Sequence, residues 1–231
     1  MTSFFRFPHT PHLAWLGTGQ PRDDKVLAPH EVAAILAGEV VVEEKIDGAN
    51  VGLSVSSDGD IVAQNRGGFL TRSHAHEQFR PLWPWLDRHR EVLFDALGGN
   101  LVLFGEWCYA CHSVAYDRLP DWFLCFDVYD RLAQRFWAAD RRNELLARIG
   151  VEPTPEVARG RFTLGQIESL IGSSLAGTGD MEGLVVRSEA DGFVRARAKL
   201  VAARFTQQID SHWSGRPVRP NSLAPGVSAW Q

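Results

Sequence analysis

The run Val40-Val41-Val42-Glu43-Glu44-Lys45 leads straight into Ile46-Asp47-Gly48-Ala49-Asn50, and this junction constrains the fold more than any other stretch of the chain. Three consecutive β-branched residues fit a buried strand, and Val51-Gly52-Leu53-Ser54-Val55 resumes strand-like alternation after the turn. The chain must therefore present one lysine, Lys45, at a strand end beside a glycine turn, where pockets tend to form. Taken alone, Lys45-Ile46-Asp47-Gly48 fits a hairpin turn with a solvated lysine equally well.

The other elements interleave around this junction without regular βαβ spacing. Val32 to Leu36 reads as a short helix ahead of the lysine strand, and Asp58-Gly59-Asp60 as a hairpin turn joining strands at 51–57 and 61–65. Trp85, Leu86, His89, Leu93, Phe94 and Leu97 recur at helical spacing up to Gly98-Gly99. Strands are expected at 100–107, 122–129, 182–187 and 193–199, with Asp191-Gly192 turning between the last two. Helices are expected at 140–149, ended by Gly150, at 163–171, opened by a Thr163/Gln166 capping box, and at 200–213. This pattern favours an α+β fold of mixed, mainly antiparallel sheets flanked by helices over a doubly wound parallel sheet. The expected organisation is a lead-in over 1–38, one domain over 39–213 and an irregular tail over 214–231.

Composition narrows the function classes. A chain of 231 residues with 45% hydrophobic content buries a core of one domain, with at most a short appendage. A net charge of −4 argues against non-specific coating of nucleic acid, although a local basic groove does not show in a total. No apolar run approaches the roughly 20 residues that span a bilayer, and the N-terminus lacks the apolar stretch of a signal peptide, so a cytoplasmic location is expected. Three cysteines fit reduced thiols. Cys108, Cys111 and His112 have the spacing of half a zinc site or a redox pair, but only Cys125 remains as another thiol, and buried or loop cysteines are the expectation. His74 and His76 read as residues of a solvated loop.

Two carboxylates stand out. Glu106 lies in Phe104-Gly105-Glu106-Trp107 and Glu182 in Met181-Glu182-Gly183-Leu184, each beside a glycine in an apolar stretch. A carboxylate there is costly to bury without a cation or donor, so two of them point to a site; the alternative is a pair of surface carboxylates on edge strands. Phe126 and the cations Arg197 and Lys199 have equally bland alternatives, as a core ring and as exposed strand residues.

Six segments follow in fixed order: Glu44-Lys45-Ile46-Asp47-Gly48, Gln64-Asn65-Arg66-Gly67-Gly68, Leu103 to Trp107, Phe123 to Tyr129, Met181 to Arg187, and Arg195 to Lys199. This order resembles the covalent nucleotidyltransferase superfamily of RNA ligases, DNA ligases and mRNA capping enzymes. The Glu44-Lys45 pair and the compact size look most like its ATP-dependent RNA ligases, over about Val40 to Phe205. The resemblance implies a nucleotidyltransferase domain with the nucleotide held between two sheets. Lys45 would take AMP from ATP, pass it to the 5′-phosphate of an RNA, and a 3′-hydroxyl would then expel it. Glu44 would read the adenine edge, Phe126 stack on the base, Glu106 hold the ribose hydroxyls, and Arg66 reach a phosphate or the ribose. Asn50 would help position the 5′-phosphate end, and Lys199 contact the α-phosphate. Glu182 would hold a divalent cation, Mg²⁺ or Mn²⁺, or the lysine itself. Arg197 stands where the family usually carries a lysine, and a planar fork replaces a compact ammonium there. About 26 residues follow Phe205, too few for the OB-fold domain that DNA ligases and capping enzymes append. A self-adenylylating module that needs a partner protein for sealing, a minimal DNA ligase and an inactive nucleotide sensor are the other readings.

Overall fold

The computed structural model describes residues 4–18, 21, 25–206 and 217–228. In chain order the strands are β1 (Val40–Glu44), β2 (Ala49–Val55), β3 (Ile61–Gln64), β4 (Leu101–Trp107), β5 (Phe123–Asp130), β6 (Arg135–Phe136), β7 (Glu152–Pro153), β8 (Glu156–Gly160), β9 (Gly183–Ala190) and β10 (Phe193–Val201). The helices are α1 (Pro29–Ile35), α2 (Leu82–Leu97), α3 (Ala139–Ile149), α4 (Leu164–Ser169) and α5 (Ala203–Thr206). The strands form two sheets, one ordered β10-β9-β1-β8 and the other β3-β2-β4-β5-β6, with β7 added parallel to β5. The remaining ladders are antiparallel, as the sequence led us to expect of an α+β fold.

Strand alternation divides the faces of the first sheet. Val40, Val42, Leu184, Val186, Ala198 and Leu200 are buried together with Ile35 of α1 and Ile167 of α4. The opposite face carries Glu43, Val185, Arg187, Arg197 and Lys199 toward a cavity between the sheets. On the second sheet, Leu53, Leu103, Trp107 and Phe123 bury against Leu82, Trp85, Leu93 and Leu97 of α2 in the largest core. That helix ends, as its spacing predicts, at Gly98 with φ +50°, a left-handed cap that a side chain would strain. Asp191 and Gly192 both take positive φ in the β9–β10 turn, and the Thr163/Gln166 capping box opens α4.

The expected helix over 200–213 is corrected in its first part. β10 continues through Val201, because Leu200 pairs with Leu184 and Val201 with Gly183 while Leu200 is fully buried. Only Ala203–Thr206 turns into a helix; positions 207–213 lie outside the described residues. β8 went unread in the sequence, yet it forms the outer partner of β1. Cys108 and Cys125 are buried, while His74 and His76 are exposed on a loop.

Two flanking stretches are stitched to the sheets. Pro11 O accepts from Lys199 N at 2.8 Å and Leu13 N donates to Lys199 O at 2.7 Å, so residues 11–13 run as one more row outside β10. At the other end, Asn221 Nδ2 donates to Cys108 O at 2.7 Å and Asn221 Oδ1 accepts from Tyr116 N at 2.9 Å.

Candidate active site

A cavity of about 270 Å³ lies between the sheets, and Glu44, Lys45, Asn50, Arg66, Glu106, Phe126, Glu182, Arg197 and Lys199 all line it. Nine side chains singled out in the sequence thus share one space, although up to 155 positions separate them along the chain.

Lys45 leaves the end of β1 with its N–H donating to Gly183 O at 2.9 Å, which fixes where the side chain starts. Its Nζ lies 2.5 Å from Glu182 Oε2. Burial acts to lower the amine's pKa, but the carboxylates of Glu182, Asp47 and Glu106 together outweigh it and hold the amine above its ordinary value. The resting lysine is therefore an ammonium. Burial also raises the pKa of Glu182, against the pull of Lys45.

Asp47 is turned to another task. Its Oδ2 accepts from Ser113 N at 2.6 Å and Val114 N at 2.9 Å, and its own N–H donates to the Tyr116 hydroxyl at 2.8 Å. The loop after β4 is thereby clamped to the lysine turn. Gly48 permits the approach, since a Cβ there would stand 2.8 Å from Trp107 O.

Asn50 on β2 and Glu106 on β4 are direct partners in the antiparallel ladder. Asn50 Nδ2 and Glu106 Oε2 are both buried without a hydrogen-bond partner. Burial pushes the Glu106 carboxyl up to about 8, with Lys45 and Arg66 pulling the other way. Arg66 follows β3 on a turn in which Asn65 Oδ1 accepts from the N–H groups of Gly67 at 2.8 Å and Gly68 at 3.0 Å.

Glu44 is 1% exposed; Ser174 Oγ donates to its Oε1 at 2.6 Å and Leu175 N to its Oε2 at 2.7 Å. Burial nonetheless raises its pKa. Arg197 pairs with Asp127 and lies over the rings of Phe7 at 4.4 Å and Phe136 at 4.1 Å, so its guanidinium is already engaged by the protein. Phe126 meets Phe7 edge-on at 5.1 Å.

The cavity also holds residues that the sequence reading passed over. Phe7, His9, Thr10, His12 and Trp15 form a wall from the lead-in, and Glu43, Asp127 and Arg187 form a buried charge cluster. The alternation Phe5-Arg6-Phe7 was the available signal for the first group. For the second, Asp127 and Arg187 were charges set singly within apolar stretches, and Glu43 gave no signal of its own.

The donor set suits a nucleotide with a hard cation. Asn50 Nδ2, Glu106 Oε2 and Thr154 Oγ1 of the cavity lining are buried without a hydrogen-bond partner, and Glu182 offers a carboxylate oxygen. Among the described residues no group of three or more His, Cys, Asp and Glu forms a complete metal cage. A cation held here would draw its remaining ligands from phosphate oxygens and water, the usual habit of Mg²⁺.

Comparison with known proteins bears on the fold and the family. Among solved structures the chain resembles the Naegleria gruberi RNA ligase in several forms. A lysine-to-alanine variant with ATP and Mn matches with a TM-score of 0.61 and 20% identity, covering 77% of this chain and 53% of that one. An arginine-to-alanine variant with ATP and Mn gives 0.62 and 18%, covering 89% and 58%. The form with PPi gives 0.58 and 21%, covering 87% and 59%. These likenesses establish the fold, and the chain spans little more than half the length of those ligases. No curated protein matches it. The family model for RNA ligase matches residues 38–201, from the start of the lysine strand to the end of β10, and on that match the chain belongs to the RNA ligase family.

Proposed function

We propose that the chain is an ATP-dependent RNA ligase that joins a 5′-phosphate end to a 3′-hydroxyl end through a lysyl-AMP intermediate on Lys45. The observation that carries this reading is the Lys45 amine 2.5 Å from Glu182 Oε2, in a cavity that also holds Lys199, Arg66 and the unpartnered Glu106 and Asn50.

Glu182 takes the ammonium proton, and the freed Lys45 Nζ attacks the α-phosphorus of ATP. An N–P bond forms as the bond from that phosphorus to pyrophosphate breaks. Lys199 and Arg66 place fixed positive charge where negative charge gathers on the phosphoryl oxygens. An oxygen of the RNA 5′-phosphate then displaces Lys45 from the adenylate, and the lysine recovers its proton. Finally the 3′-hydroxyl attacks the 5′-phosphorus and AMP departs.

Phe126 offers the adenine a flat face, and Glu44, fixed by Ser174 and Leu175, offers its edge an acceptor. Glu106 faces the ribose hydroxyls and Asn50 the incoming 5′-phosphate end. Arg197, held by Asp127 and two rings, builds the wall more than it supplies free charge. A divalent cation, Mg²⁺ or Mn²⁺, held mainly by phosphate oxygens and water with the Glu182 oxygen turned away from Lys45, would neutralise phosphate charge. We assign the activity to RNA repair in the cytoplasm. Among the described residues no helix is long and apolar enough to cross a membrane.

Incubation with α-labelled ATP and Mg²⁺, followed by RNA and DNA nicks and single strands, tests the reading. Wild-type protein acquires acid-labile label and joins RNA, whereas Lys45→Ala does neither while keeping its fold. Label without joined product would point to a module that seals only with a partner protein, and joining of DNA alone to a minimal DNA ligase. Acid-labile label persisting in Lys45→Ala would refute the mechanism.

A further inference from the structure

In the β4–β5 ladder Phe104 pairs with Asp127 and Gly105 with Cys125, so Phe126 falls between the two pairs as the extra residue of a bulge. A bulged residue loses its place in the ladder and has its side chain re-aimed. Here the ring of Phe126 lines the cavity. Its carbonyl accepts instead from two guanidinium groups, Arg142 Nη1 at 2.5 Å and Arg187 Nη2 at 2.5 Å. Gly105 makes room for this path, because a Cβ there would lie 2.5 Å from Leu124 O.

The two arginines are themselves held on all sides. Arg187 Nε donates to Glu43 Oε2 at 2.5 Å and its Nη1 to Asp127 Oδ1 at 2.7 Å. Arg142 Nη2 donates to Glu43 Oε1 at 2.5 Å and its Nε to Asn143 Oδ1 at 3.0 Å. The side chains of Glu43, Asp127, Arg142 and Arg187 are no more than 2% exposed. Glu43 stands two residues before Lys45 on β1, Arg187 comes from β9 and Arg142 from α3. The bulge in one sheet is therefore tied to the strand that carries the lysine in the other.

We propose that Arg142 is a positioning residue, which with Glu43 and Arg187 locks the bulge at Phe126 so that the aromatic ring presents a fixed face to the base of ATP. The proposal rests on Phe126 being the base-stacking residue. Arg142 does not line the cavity, so its influence on nucleotide passes through Phe126. Its planar fork serves Phe126 O, Glu43 and Asn143 at once. A lysine keeps the charge but lacks the fixed fan of donors.

The test uses the full-length protein carrying Arg142→Lys, Arg142→Met or Phe126→Leu, with thermal melts to confirm folding. ATP with a ¹³C-labelled adenine is bound without metal, and the upfield ring-current shift of the adenine protons reports stacking. Single-turnover self-adenylylation over a range of ATP concentrations then separates the apparent Kd for ATP from the maximal rate. In both Arg142 variants the ring-current shift should shrink and the apparent Kd for ATP rise roughly tenfold, with the maximal rate falling less than about threefold. A merely structural loss would lower the amount of active protein and leave the shift of the bound base intact. If Arg142→Met does not fold, Arg142→Lys decides the matter. An unchanged shift and apparent Kd in a folded Arg142 variant, with both altered in Phe126→Leu, would overturn the lock. An unchanged shift in Phe126→Leu would overturn the stacking assignment itself, and the lock with it.

Discussion

Replacing Glu106 by glutamine should stabilise the nucleotide-free protein at alkaline pH while damaging nucleotide binding. The carboxyl sits on β4 opposite Asn50, with Oε2 buried and unpartnered. Burial raises its pKa from an ordinary 4.5 to about 8. Between those values the folded protein keeps a proton that the unfolded chain has released, so stability falls as pH rises through this window and levels off above it. Each pH unit is worth about 1.4 kcal/mol, so the full gap corresponds to about 5 kcal/mol. Water entering the open cavity screens part of this, and a measured gain of roughly 2 to 5 kcal/mol above pH 8 is expected. Glutamine carries no titrating proton, so the gain should vanish near pH 4.5 and grow as the pH is raised. Urea unfolding of both proteins across this range is the assay, with ATP affinity measured in parallel. Two stability curves that stay parallel from pH 5 to 9 would show that the carboxyl is not perturbed, and the picture of a strained, waiting Glu106 would have to be abandoned.

The lysine pair makes a kinetic prediction. Because the Glu182 carboxylate is among the groups holding the Lys45 amine above its ordinary pKa, Glu182→Gln should move the midpoint of the pH–rate profile for self-adenylylation to lower pH. The plateau should also fall, since the proton acceptor is gone; a midpoint that stays or moves upward would contradict this. Gly183→Ala should destabilise the protein by roughly 1 to 3 kcal/mol, or prevent folding. A Cβ at that position would stand 2.2 Å from Leu200 O, between two paired strands, and denaturant unfolding reads the loss.

The parts of the site legible in the sequence were those where a residue contradicts its local setting. Glu106 and Glu182 are charges in apolar stretches, and Lys45 follows a run of valines and glutamates, so single positions announced themselves. Glu43 did not, because it reads as a polar lead-in to Lys45 until Arg142 and Arg187, 99 and 144 positions away, are seen beside it. Arg142 lies on a helix whose exposed face is rich in charge, and periodicity alone cannot separate one buried arginine from its solvated neighbours. β8 is only partly buried and follows Pro153 and Pro155, so neither alternation nor composition marked it. The end of β10 was misread because Leu200 to Phe205 carries no proline or glycine to separate strand from helix, and the pairing with β9 decided the outcome.

The stitching of both flanks has a practical corollary for anyone who trims this polypeptide. A fragment cut to positions 38–201, where the family model begins and ends, would keep every residue assigned to chemistry yet lose the row at Pro11 to Leu13 that steadies Lys199. It would also lose Asn221, which fastens the loop gripping Asp47. Such a fragment also loses Leu13 and Ile35 from beneath the first sheet, so it is expected to fail at catalysis even where its sheets still form, much as an arch stands without its buttresses until a load arrives.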